Sequence, residues 1–253
     1  MNVSALLKTA VQHHQAGRLD QARRIYEDVL RIQPGHPDAL HLLGLVFLAA
    51  RMPDKGHALI SRAVAAQPAN PQYQNSLGEA LRVLGRLDDA AEAFSRAASL
   101  RPAYAEAHYN LGLVRHAQGR LDEAAAALER ALKRQPAFAA AHNGLGVVRR
   151  DLGQREEALW HFRRATQLAP RFVPAWLNLA HLQRETGDRS GARASYEKAR
   201  ALAPGHPDIE FGLAALAGDD GDTDGAIQGY RKAIAARPDF VEAHINLGNA
   251  LLR

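Results

Sequence analysis

Residues 105–136 read AEAHYNLGLVRHAQGRLDEAAAALERALKRQP. Ala107, His108, Leu111, Gly112 and Arg115 recur at helical spacing and predict one face of a first helix. Gly119 follows at a turn, where a left-handed backbone is cheap only for glycine. Ala124, Leu128, Ala131 and Leu132 predict the inward face of a second helix. Pro136 stops that helix, because its ring cannot continue one. Two helices this short cannot bury a core alone, so the unit makes sense only if copies stack on one another.

The copies are present. Proline returns every 34 residues at Pro34, Pro68, Pro102, Pro136, Pro170, Pro204 and Pro238. The turn glycine returns in the same phase at Gly17, Gly85, Gly119, Gly153, Gly187 and Gly221, with Arg51 as the exception. Leu43, Leu77, Leu111, Leu145, Leu179, Leu213 and Leu247 are each followed by a small residue, Gly44, Gly78, Gly112, Gly146, Ala180, Ala214 and Gly248. A small residue there lets the two helices of a unit approach closely. Large residues hold one phase on the second helix as knobs: Tyr26, Ile60, Phe94, Leu128, Phe162, Tyr196 and Tyr230.

This pattern resembles the tetratricopeptide repeat (TPR) family over nearly the whole chain, roughly residues 3 to 253. The resemblance implies an all-α, right-handed superhelix, an α-solenoid of about seven and a half helix–turn–helix units. The units are 3–36, 37–70, 71–104, 105–138, 139–172, 173–206 and 207–240, with a partial one at 241–253, read as a single array over residues 1–253. The unbroken spacing argues against the 35-residue pentatricopeptide repeat, which reads RNA.

Composition narrows the function. The 253 residues are 47% hydrophobic but only 6% aromatic, as alanine-rich helix packing requires. A net charge of +5, spread among acids without interleaved aromatics, argues against nucleic acid. No cysteine is present, which removes disulfides and thiolate metal sites. The N-terminal segment shows no signal peptide, and no apolar run is long enough to span a membrane. The expected compartment is the cytoplasm, with the periplasm also allowed.

Three units deviate. The first carries Thr9–Ala10 in place of Leu-Gly, and its His13–His14 pair reads as part of a solvated cap helix rather than a metal site. The second has an apolar first helix with Leu42, Leu45, Val46, Phe47 and Leu48, read as extra packing against the cap or as an apolar binding patch. The seventh contains Asp220, Asp222, Asp224 and Gly225, the first half of an EF-hand calcium loop, but Arg231 stands where the bidentate glutamate belongs. A solvated acidic turn is the expectation there. The partial last unit breaks off at Arg253 with Val241, Leu247, Leu251 and Leu252 uncovered, which suggests truncation, a covering partner or self-association through that end.

In a TPR array the first helices line the concave face, and their second, fifth, sixth, ninth and twelfth positions are expected to point into it. The sixth position brings asparagine back at Asn110, Asn178 and Asn246. A carboxamide offers donor and acceptor to any peptide backbone. This resembles the asparagine ladder in the TPR arm of O-GlcNAc transferases, and the resemblance carries over to these three positions alone. The twelfth position reads Arg82, His116, Arg150 and Arg184, a basic stripe suited to a partner that carries negative charge and partly neutralised by Asp151 and Glu185. Asn75, Tyr109 and Asn143 at the fifth position add peptide-contacting surface. His108, His142 and His244 share the fourth position with Trp176 and read as packing residues. No paired carboxylates, Ser-His-Asp set, phosphate loop, metal site or cofactor motif stands out.

The expectation is a non-catalytic interaction scaffold that binds an extended peptide or a protein partner's segment in the concave groove, with no cofactor. The alternative is the N-terminal recognition arm of a larger enzyme, a glycosyltransferase resembling O-GlcNAc transferase, or a sulfotransferase or methyltransferase. The lysine–asparagine pattern of the co-chaperone carboxylate clamp does not appear.

Overall fold

The structure, a computed structural model, describes residues 2–252. Met1 and Arg253, the expected limits of the array, lie outside the described residues. Fifteen α-helices and no strand occur among the described residues. They fall into two compact units, Met1–Pro136 and Ala137–Arg253. In the first, the pairs are α1 (Val3–Gln15) with α2 (Leu19–Ile32), α3 (Pro37–Ala49) with α4 (Pro53–Ala66), α5 (Pro71–Val83) with α6 (Leu87–Leu100), and α7 (Ala105–Ala117) with α8 (Leu121–Arg134). In the second they are α9 (Ala139–Asp151) with α10 (Arg155–Leu168), α11 (Val173–Glu185) with α12 (Arg189–Leu202), and α13 (Pro207–Asp219) with α14 (Thr223–Ala236), followed by α15 (Val241–Leu251). No helix among the described residues is long and apolar enough to cross a membrane.

Each pair closes on the small residue of its first helix. A Cβ placed on Gly78 would lie 2.7 Å from the Phe94 ring, one on Gly112 2.6 Å from Leu128 Cγ, and one on Gly146 2.6 Å from the Phe162 ring. The knobs Tyr26, Ile60, Phe94, Leu128, Phe162 and Tyr196 are fully buried against these gaps. In the seventh pair the small residues change sides. Ala214 stands on the first helix, and Gly229 faces it so closely that a Cβ there would come within 2.6 Å of the Ala214 methyl.

The turn between the two helices of a pair depends on one left-handed residue. Gly85 has φ +75° and is followed by the Arg86 N–H donating to the Leu81 carbonyl, so the end of α5 is capped by the backbone itself. Arg51 adopts the same conformation at φ +58°, with the Met52 N–H donating to the Phe47 carbonyl. The repeat imposes this geometry on a residue type that rarely accepts it.

Consecutive pairs are joined at the fourth position of the next first helix. Gln74 Nε2 donates to the Pro68 carbonyl at 3.0 Å, and Trp176 Nε1 to the Pro170 carbonyl at 2.9 Å. His108 Nε2 meets the Pro102 carbonyl at 3.2 Å, and His244 Nε2 the Pro238 carbonyl at 2.9 Å. A carbonyl only accepts, so both imidazoles carry the proton on Nε2. At these four positions the residue therefore satisfies the backbone beyond the preceding second helix as well as packing beside it.

Within each unit the first helices also touch one another: α3 meets α5 and α5 meets α7, while α9 meets α11, α11 meets α13 and α13 meets α15. Consecutive second helices make no comparable contact among the described residues. A stack whose first helices converge while its second helices splay bends towards the first-helix layer, which makes that layer the inner face of each unit.

The apolar first helix α3 packs on the cap. Leu42 and Phe47 join Ala10, Ala22, Tyr26, Leu43 and Val46 in one cluster. In the second unit α15 leaves Val241 63%, Ile245 57% and Leu251 56% exposed, and Leu252 just beyond it 88%, whereas Leu247, expected to be uncovered, packs against Ala214, Ala226 and Tyr230.

The glycine contact predicts opposite outcomes for one substitution at two equivalent positions. Gly78→Ala should lower the unfolding free energy by about 1–3 kcal/mol, because the new methyl overlaps the Phe94 ring. Gly248→Ala, with nothing within 4 Å of its Cβ position, should leave stability unchanged or raise it by up to about 1 kcal/mol. Urea unfolding of the two variants beside the wild type reads both effects.

Candidate functional site

The inner face of the first unit gathers a polar cluster from α5 and α7. Asn110 Nδ2 donates to Asn75 Oδ1 at 3.1 Å and lies 3.5 Å from Glu79 Oε1. Asn75 Nδ2 lies at the same 3.5 Å from that carboxylate oxygen. A carboxylate accepts and does not donate, so Glu79 turns both amide nitrogens towards itself and fixes the orientation of the pair. With both Asn110 N–H groups engaged, its Oδ1 is the atom left to accept from a ligand. Asn75 itself is buried, at 6% exposure, and is a support rather than a contact surface. Tyr109 and Asn110 are half-buried and Arg82 is exposed. Burial pushes the Glu79 carboxyl above its ordinary range, while Arg82 and the two amides pull it back. Burial likewise raises the Tyr109 hydroxyl, against the pull of Arg82. Three expected residues, Asn75, Arg82 and Asn110, thus act on Glu79, and Tyr109 lies within the reach of Arg82. Glu79, which no sequence motif marks, occupies the ninth position, one of those expected to face inwards. His116 is half-buried further along α7.

The second unit repeats the amide pair without the carboxylate. Asn178 Nδ2 donates to Asn143 Oδ1 at 3.0 Å. One link recurs, from the fifth position of a first helix to the sixth of the next. It is His41 to Ser76 at 2.9 Å, Asn75 to Asn110, and Asn143 to Asn178. The asparagine rungs therefore also tie consecutive first helices together. Asn246 differs, because the fifth position before it is the apolar Phe211. It is half-buried and lines a recess with Arg184, Asp219 and Asn249.

Two of the basic residues are already paired. Arg150 reaches Asp151 at 3.0 Å, as the sequence suggests, but Arg184 reaches Asp219 of the next first helix at 2.9 Å rather than Glu185. Burial lowers the His181 imidazole between these arginines, and its Nδ1 sits 3.3 Å from the Tyr196 hydroxyl.

The acidic turn after α13 is occupied by the protein's own groups. Asp220 pairs with Arg189 at 3.4 Å and with Arg193 at 2.7 Å. Asp222 Oδ1 accepts from the Gly225 N–H at 2.8 Å and caps α14. His13 and His14 diverge: Arg18 Nε donates to His13 Nδ1, whereas His14 Nδ1 lies 3.3 Å from the Tyr26 hydroxyl. Among the described residues no group of three or more His, Asp or Glu side chains is placed to hold a metal ion.

Over residues 1–210 the chain matches the family described as cilia and flagella-associated protein 70 C-terminal domain. It belongs to that family. Residues 219–253 match the TPR repeat. No curated protein matches the chain. Among solved structures, a chain of the APC/C hetero-tetramer Cut9-Hcn1 is 19% identical with a TM-score of 0.84, covering 96% of this chain and 48% of that one. The chain thus spans about half the length of that relative. YrrB, described as a TPR protein with an unusual peptide-binding site, is 22% identical with a TM-score of 0.58, covering 73% and 95%. A thermophilic TPR protein of Thermus thermophilus, TTC0263, is 28% identical with a TM-score of 0.58, covering 72% and 100%. These likenesses show the all-α TPR fold, one typical of protein-interaction scaffolds.

The His41 link predicts a pH dependence. Burial lowers the His41 imidazole to about 4, against a weaker opposing pull from Asp38. A histidine depressed in the folded state binds its proton more readily when unfolded, so stability is complete above the unfolded value near 6.5 and falls as pH drops towards 4. His41→Gln should flatten the loss of thermal stability between pH 7 and pH 4.5, read by calorimetry at each pH.

Proposed function

We propose that this protein is a non-catalytic scaffold whose first-helix face holds an extended peptide or a segment of a protein partner, the repeats of both units being read as one array. The observation that carries the reading is the Asn110–Asn75–Glu79 cluster. It presents an oriented amide oxygen on the inner face, at a position that sequence spacing repeats in Asn178 and Asn246. Such oxygens accept from peptide N–H groups whatever the side chains, which suits sequence-tolerant recognition. Tyr109 supplies apolar contact beside them. Asn143, like Asn75, holds a rung in place. Arg82 and His116 in the first unit, and Arg150 and Arg184 in the second, favour a segment that carries negative charge. Arg82 contributes most, since Arg150 and Arg184 each share their charge with an aspartate. That the TPR fold can carry a peptide site is stated of YrrB.

The same asparagine spacing favours a second reading within this one. It resembles the recognition arm of O-GlcNAc transferases, so the array would present a peptide to a glycosyltransferase, sulfotransferase or methyltransferase partner or domain. The two readings share the groove and differ in what acts on the bound segment.

A peptide selected on the wild-type protein from a displayed random library provides the probe. Asn110→Ala with Asn178→Ala should weaken its binding roughly thirtyfold, as two lost hydrogen bonds of about 1 kcal/mol each require. Circular dichroism should show unchanged helix content. Unchanged affinity in a folded double variant would overturn the proposed recognition.

A further inference from the structure

The first helix α13 departs from its predecessor α11 at two inward positions. Where α11 carries His181 and Arg184, α13 carries Ala215 and Gly218. In the earlier pair the imidazole of His181 fills the space beside the Tyr196 hydroxyl. With a methyl and a hydrogen in place of the two long side chains, a recess of about 230 Å³ opens between α11, α13, α14 and α15. Its walls include Arg184, Gly218, Asp219, Tyr230, Asn246 and Asn249.

We propose that this recess is a specificity pocket for a neutral carboxamide side chain, glutamine or asparagine, of the segment held on the first-helix face. The proposal rests on the groove reading above and names what the groove selects.

The chemistry of the walls carries the choice. Arg184 and Asp219 face each other at 2.9 Å and cancel each other's charge. An entering carboxylate would gain the guanidinium only by facing Asp219, and an entering ammonium would gain Asp219 only by facing Arg184. Either charge would therefore enter beside a like one. Asn246 and Asn249 stand three residues apart on one face of α15 and are hydrogen-bonded to no other described residue. Each offers two N–H donors and a carbonyl acceptor. A carboxamide is the side-chain group that matches donors and acceptors together while adding no charge.

Nuclear magnetic resonance titration of the ¹⁵N-labelled full chain tests this, with N-acetyl-glutamine methylamide as the probe and the glutamate and lysine equivalents as comparators. The expected result is saturable shifts at the side-chain amides of Asn246 and Asn249 and at the Gly218 N–H. The glutamine probe should bind at least fivefold more tightly than either charged one. Gly218→Arg, which restores the side chain that α11 carries, should abolish these shifts, while the spectrum elsewhere reports that the variant is folded. Asn110→Ala with Asn178→Ala should leave them intact, so failure of the rungs and failure of the pocket are read separately. Absence of saturable shifts, equal affinity for the three probes, or shifts that persist in Gly218→Arg would overturn the pocket.

Discussion

Within every complete helix pair, two backbones approach as closely as a glycine or alanine and one large side chain allow. Phe94 over Gly78, Leu128 over Gly112 and Phe162 over Gly146 are the same contact made by different knobs. The knob varies between phenylalanine, leucine, isoleucine and tyrosine, but the residue opposite is always glycine or alanine. This asymmetry is what close packing demands, because a pocket bounded by backbone cannot enlarge whereas a side chain can be exchanged for another of similar volume. The seventh pair shows the constraint in reverse, with Gly229 opposite Ala214. Everything functional is placed by this contact, since it sets the first helix of each pair and so aims its inward positions.

The first-helix layer then does two jobs with one set of residues. His41–Ser76, Asn75–Asn110 and Asn143–Asn178 tie successive first helices, and two of these ties are the amides expected to meet a peptide. A rung already held by a neighbour is ordered before any ligand arrives, and ordering it in advance removes part of the entropic cost of binding. The tie also spends donors, so at Asn110 the recognition chemistry narrows to the amide oxygen, whereas Asn178, with no carboxylate beside it, keeps a second N–H. Charge is moderated in the same manner: Asp151 and Asp219 each hold an arginine on the inner face.

Most of the fold was legible because its period is fixed by local rules. Proline ends, glycine turns and small-residue contacts all repeat in one 34-residue phase, and the helix limits follow it. Even the exception at Arg51 kept the left-handed turn, showing that the neighbouring helices impose the backbone there. The site was less legible. Asn75 and Asn110 were each visible as polar positions, but their pairing follows a 35-residue offset set by the stagger between first helices, which no single repeat reveals. Glu79 belongs to the cluster through that stagger, and Arg184 finds Asp219 in the next first helix rather than its neighbour Glu185 for the same reason. The recess beside α13 is marked by what Ala215 and Gly218 lack, a signal that appears only when their neighbours are in place. The acidic loop has the alternating aspartates of half a calcium motif but was expected to be a solvated turn; its pairings were not legible, since Asp220 serves two arginines and Asp222 serves the helix start.

The central claim is that recognition belongs to the inner, first-helix face. A photo-crosslinking amino acid placed at position 109 on that face, or at position 160 where Trp160 is 58% exposed on a second helix, compares the two surfaces directly. With the library-selected peptide as ligand, the account predicts adducts from position 109 that excess unlabelled peptide suppresses, and none from position 160. Adducts formed from position 160 alone would contradict it.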